Sequence, residues 1–281
     1  MSDYVNTLTA DKKRTLTLKV VTYIVSILLT ILILTPFWGM IKEVFGDETI
    51  VQPGPGGQFT ITHIPREGFI TWKEFCDLFN DYAFIGFGNS MLVSVLNTIL
   101  NIYFSALTAY AITAYEWRMR AAFEKLIIVA MMIPSTVASV GLVQWIYKLG
   151  LVNKLFVFII PAIATPMTVF FMRMYLKATF SKEIVESARI DGAGEFRIFN
   201  QIIFPIMKPA ISTQTIFCFV ASWSNIWVPR IVLIEDKKKL LPLMNYAPPG
   251  AELLMCIPPI LLYAFLSKHI VEGIQLGSVK T

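Results

Sequence analysis

The chain has 281 residues, 56% of them hydrophobic and only 15% charged, where soluble domains hold roughly 45–50% apolar residues. With a mean hydropathy of +0.64, there is more apolar material than one water-facing core can hide, which excludes an ordinary soluble enzyme. The net charge of +5 would fit nucleic acid if the cations shared a face, but they fall between apolar runs, as topology signals do, so no nucleic-acid partner is expected.

From the N-terminus, residues 1–15 read as a cytoplasmic tail containing Lys12-Lys13-Arg14. The apolar run 18–41 is longer than the 7–15 residues of a signal-peptide core, and no A-x-A site follows, so it reads as a retained span. An outer loop, 42–85, holds the turn-rich run Gln52-Pro53-Gly54-Pro55-Gly56-Gly57 and then Thr71-Trp72-Lys73-Glu74-Phe75, a short surface helix. Further runs at 86–114, 126–148, 155–176, 208–230 and 250–268 each approach the roughly 20 residues needed to cross the hydrocarbon. The expected fold is all-α, a polytopic membrane protein of six transmembrane helices, with residues 16–281 as a single transmembrane domain. With both termini inside, 15 of the 24 Lys and Arg lie on the cytoplasmic side, as the positive-inside rule requires. Lys237-Lys238-Lys239 runs locally against it.

No span carries Asp, Glu, Lys, Arg or His at its centre, whereas pumps that relay protons bury such groups there. An uncharged solute, or a step powered by another subunit, fits better. Cys76, Cys218 and Cys256 are widely spaced and only two histidines exist, so no metal site and no catalytic residue is expected. H-E-x-x-H and G-x-S-x-G are absent, which counts against an intramembrane enzyme.

In the second span Ser90, Ser94, Asn97, Asn101, Ser105 and Thr108 share one helical stripe. Such a stripe must face protein or water. It is either interhelical glue or, with Gln144, Trp223 and Asn225, a substrate path offering amides, hydroxyls and an aromatic plane to a neutral polyol.

The inner segment 177–207 reads as a knob of two short amphipathic helices. Ile184 and Ala188 share a face before Asp191, and Phe196, Phe199 and Ile203 share one after it. Asp191 is expected to cap the second helix, and Gly192 to permit a sharp bend or close approach. Glu186 is either a polar anchor or an i,i+3 partner of Arg189.

Glu186-Ser-Ala188-x-x-Asp191-Gly192-Ala193, followed by Phe199, Ile202, Pro205 and Pro209, resembles the EAA loop of permease subunits in binding-protein-dependent ABC importers. Asn89-Ser90, Met132-Ile133-Pro134, Ser222-Trp223-Ser-Asn225 and the tail Gly273-x-x-x-Gly277-x-Val279-Lys280 are similar to its carbohydrate-type branch, in the manner of the maltose-type second permease. Ser187 and Ser181 depart from the pattern, and the connection from Leu240 to Ala251 is short. The resemblance implies a type I importer permease fold in a bacterial inner membrane, with Glu186, Ala188, Asp191, Gly192, Ala193, Phe199 and Pro205 coupling to an ATPase. It also implies a second, homologous permease, two ATPase subunits and an extracytoplasmic solute-binding protein as partners, besides membrane lipid. The chain has no G-x-x-x-x-G-K-[ST] loop, so ATP and Mg belong to the partner ATPase and no cofactor is expected on this chain. A stand-alone secondary carrier is the competing reading, but it would need paired repeats, and none is evident.

Overall fold

The computed structural model describes residues 2–53, 59–65, 81–244 and 251–278, in two compact units, Met1–Leu78 and Phe79–Thr281. In the first unit, helix α1 (Ser2–Gly46) continues through the stretch expected to be a tail. Its Leu18–Gly39 portion is long and apolar enough to span. Valine, isoleucine and threonine are modest helix formers in water, but in lipid only a helix satisfies every backbone group within one segment. The hydroxyls of Thr22, Thr30 and Thr35 donate to carbonyls four residues back at 2.8, 2.8 and 2.9 Å, so none is stranded in hydrocarbon. Strands β1 (Asp47–Pro53) and β2 (Phe59–Pro65) pair antiparallel, Asp47 opposite Pro65 and Pro53 opposite Phe59. This hairpin is a local exception to the helical expectation, built where Thr, Ile and Val favour a pleated strand. The expected surface helix at Thr71–Phe75 lies outside the described residues, as do Gly54 to Gly57.

In the second unit, α2 (Asp81–Ala114) is the central span. The span expected at 126–148 is broken into α3 (Arg120–Met131) and α4 (Ser135–Lys148), bent by 94°. Pro134 lacks an N–H and sits at φ −58°, ψ 130°, so the helix cannot run through it. The next span enters through two 3₁₀ turns, Leu155–Phe158 and Ile160–Ala162, and continues as α5 (Pro166–Thr179). After α6 (Lys182–Ile190) and α7 (Glu195–Ile198), a π turn (Phe199–Ile203) leads to the short α8 (Phe204–Ile206). The chain recrosses as α9 (Lys208–Trp223) and α10 (Trp227–Val232), and ends with α11 (Ala251–Ser278). Among the described residues four stretches are long and apolar enough to span, five when the bent pair counts as one. The sixth expected span corresponds to the shorter apolar stretch Leu254–Lys268 of α11.

Helix α2 packs against α5 and α9, α9 against α11, and α3 against α5. Ala106 and Ala109 let α2 approach Met172 and Leu176 closely in a core that also takes in Ala188 and Phe199. A second cluster (Val93, Ile146, Val157, Val232, Leu240) lies at the other end of α2. There Asn89 donates to the carbonyls of Lys237 and Lys239, both at 3.0 Å, and Ser90 Oγ accepts from Leu241 N–H at 2.8 Å. A Cβ on Gly86 would meet the flexible end of the Met244 side chain at 2.8 Å and Leu241 Cα at 3.3 Å, so a larger residue there would have to displace the Met244 tip and press on the Leu241 backbone.

Candidate functional site

The 182–205 knob is built on a helix end of defined geometry. At the close of α6, Gly192 adopts φ +79°, its N–H bonds to the Arg189 carbonyl, and the Ala193 N–H reaches back to the Ala188 carbonyl, both at 3.0 Å. These paired bonds form a Schellman motif, in which a left-handed residue ends a helix and satisfies its last carbonyls. Asp191 is thus the C-cap of the first helix and not the expected cap of the second. Gly194 occupies the N-cap of α7, with no side-chain hydrogen bond. No atom lies within 4 Å of a Cβ built on Gly192, so within this chain the position needs glycine for its torsion, and the anticipated close approach is absent.

The faces also differ from those expected. Val185 and Ala188 are buried while Ile184 is exposed, and Ile198, Phe199 and Ile203 are buried while Phe196 is exposed. Ala188 (7%) and Phe199 (1%) sit in the core and anchor the knob from behind, whereas Glu186, Asp191, Gly192 and Pro205 are at its surface and Ala193 is half-buried. The Phe199 ring packs on Tyr103, Tyr110 and Phe204, with centroids 5.7 Å apart in each case. In the π turn the Phe204 N–H reaches Phe199, and this widened turn accommodates the Pro205 ring that an α-turn would crowd.

Arg189 does not pair with Glu186. Its Nε donates to Glu195 Oε1 at 2.7 Å and its Nη2 to Oε2 at 3.3 Å, while the Tyr115 hydroxyl donates to the same Oε2. The guanidinium also lies over the Tyr115 ring, 5.6 Å from its centroid. Arg189 first, and then the Tyr115 hydroxyl, hold Glu195 below its ordinary carboxylate value, while burial pushes the Tyr115 phenol up. This latch joins both knob helices to the chain just beyond α2. Outside it, Ile190 (86% exposed) and Phe196 (70%) stand in solvent. The sequence reading missed Ile190; the signal was an isoleucine beside the Asp-Gly turn and off the face of Val185 and Ala188.

The stripe on α2 divides. Asn101 is buried, donates to Thr165 Oγ1 at 3.1 Å and accepts from Ser105 Oγ at 3.0 Å, which is glue. Trp223 is buried too, its indole N–H donating to the Met255 carbonyl at 2.9 Å. Asn97 and Asn225 instead line one cavity of about 220 Å³ together with Ser139, Thr165 and Ser222. There Asn97 Nδ2 lies 3.3 Å from Ser222 Oγ and 3.5 Å from the Phe158 carbonyl. Gln144 is exposed and outside that lining. Ser139 and Thr165 went unnoticed because neither belongs to a polar stripe as long as that of α2, and each lies close after or before a helix break, at Pro134 and Pro166.

Residues 101–236 match the family described as "Binding-protein-dependent transport system inner membrane component". The chain is 34% identical over 233 residues to the arabinooligosaccharides transport system permease protein AraQ of Halalkalibacterium halodurans, covering 78% of this chain and 83% of that protein. It is 31% identical to the melibiose/raffinose/stachyose import permease protein MelC of Bacillus subtilis, over 69% of this chain and 75% of that one. In fold it resembles a chain of a bacterial ABC transporter involved in the import of the acidic polysaccharide alginate. That likeness has a TM-score of 0.71 at 18% identity, covering 89% of this chain and 95% of that one.

Proposed function

This chain belongs to the inner-membrane components of binding-protein-dependent transport systems, and on that footing we propose that it forms half of the translocation pathway of a carbohydrate importer in a bacterial inner membrane. The relatives named for oligosaccharides support the substrate class. Both termini face the cytoplasm in this reading, as the cation distribution supports. A second permease completes the path, an extracytoplasmic solute-binding protein delivers the solute, and two ATPase subunits hydrolyse Mg-bound ATP, so this chain itself holds no cofactor.

One observation carries the coupling role. The knob exposes Ile190 and Phe196 while its rear is locked into the α2 and α5 core. An apolar tip enters a partner's groove, and a tip rigidly joined to the spans transmits the partner's motion as rigid-body displacement. Glu186, Asp191 and Pro205 provide the surface around that tip, and Ala188 and Phe199 its anchor. In the cavity, Asn97 and Asn225 offer amides, and Ser139, Thr165 and Ser222 hydroxyls, to a neutral polyol.

The test replaces residues 182–205 by a flexible linker and follows ATP-driven uptake of labelled oligosaccharide in proteoliposomes containing the whole transporter. Uptake and ATPase co-purification should both be lost; uptake at full rate would refute the reading.

A further inference from the structure

The 430 Å³ cavity at the ends of α2, α3 and α5, on the same face as the knob, is lined by Arg118, Arg120, Arg173 and Lys177 with Glu116, Glu124 and Trp117. Its charges are sorted. Glu124 spends one oxygen on Arg120 (3.2 Å) and the other on Arg173 (2.7 Å), and Glu116 faces Lys182 at 3.4 Å. Arg173, with its side chain only 13% exposed, is thereby fixed in the wall. Among the described residues Arg118 and Lys177 have no carboxylate partner, and the one charge of Glu124 is shared by two guanidiniums, so the hollow is net positive with two unpaired cations.

Position selects the ligand. The cavity sits where two spans, Ala83–Ala114 and Leu155–Thr179, reach their ends, the depth at which lipid phosphates lie. Helix α3 leads away from it with no buried residue, exposing Leu126 and Val129, a surface along which an acyl chain can lie. Trp117 at the rim is of the residue type that anchors at this boundary.

We propose that this hollow binds the phosphate of an anionic phospholipid headgroup, with Arg118 and Lys177 contacting it and the Glu124-centred pairs holding the wall. The single net negative charge of an anionic headgroup is drawn to this cation excess, whereas a zwitterionic headgroup brings a cation of its own and no net charge.

The whole transporter, purified through a tag on this chain, is placed in nanodiscs containing phosphatidylglycerol or phosphatidylcholine, each brominated near the glycerol, and tryptophan fluorescence is read. Phosphatidylglycerol should quench more strongly, and the excess should vanish in Trp117→Phe. In Arg118→Gln/Lys177→Gln, half-maximal quenching should need about fivefold more phosphatidylglycerol for each cation removed, with the thermal unfolding midpoint unchanged. Millimolar inorganic phosphate should leave the excess intact; its abolition would reassign the site to a free anion and overturn the lipid proposal. Equal quenching by the two lipids would also overturn it. So would loss of co-purified ATPase from the double variant with lipid quenching unaltered, which would make the hollow a protein contact.

Discussion

Gly192 and Glu195 show how much of the knob rests on single residues. An L-residue held in the left-handed region costs about 1–2 kcal/mol, and Gly192 at +79° has open space around it, so Gly192→Ala should weaken the turn only by that torsional amount. Gly192→Trp adds bulk that only a partner's wall can oppose. Co-purification of the ATPase should therefore fall modestly for alanine and collapse for tryptophan; similar losses in both would mean that no wall approaches the turn. Glu195 makes the knob pH-sensitive in one direction. Its folded-state value lies below the ordinary 4.5, so the latch contributes in full above the ordinary value and loses that contribution as pH falls through the depressed one. Protection of the Gly192 and Ala193 amides, as exchange relative to the intrinsic rate at each pH, should fall through that acid window, and Glu195→Gln should remove the dependence.

Helix α5 offers a comparison within one element. Met172 and Leu176 are fully buried, whereas Met174 is exposed. In lipid a buried side chain stabilises by close contact more than by leaving water, so alanine at 172 or 176 should cost about 2–5 kcal/mol and at 174 under about 0.5 kcal/mol. Thermal unfolding midpoints in detergent read the difference. At this scale much was legible beforehand. The run of aliphatic residues in 18–41 demanded a spanning helix, and the Asp-Gly pair marked a bend. The break at Pro134 was not legible as a 94° turn, because a proline can kink a membrane helix without ending it. Nor was the knob's buried face, since Ile184 and Val185 are adjacent and equally apolar, and only the position of the α2 and α5 core decides which of them points inward.

Across the second unit, polar residues of one stripe do two jobs, and mutation should separate them. Asn101→Leu strands the Ser105 hydroxyl, leaves Thr165 only its bond with Thr168 at 2.9 Å, and should cost about 1–3 kcal/mol of stability, with transport per folded complex retained. Asn97→Ala/Asn225→Ala should leave the unfolding midpoint and ATPase retention nearly unchanged while lowering solute uptake. If Asn101→Leu abolished uptake in a fully folded complex, or the double variant transported normally, the division between glue and path would be wrong. The sequence by itself determined where the apolar runs lie, the bend at Asp191-Gly192 and the absence of ionisable groups at the centres of those runs, because hydropathy and backbone torsion are properties of neighbouring residues along the chain. Only the tertiary structure decided that Arg189 closes on Glu195 and Tyr115, and that Asn97 meets Ser222, 125 positions away, while Asn101 meets Thr165. Those outcomes follow from which helices pack together, and each pairing is set by groups that the local pattern does not contain.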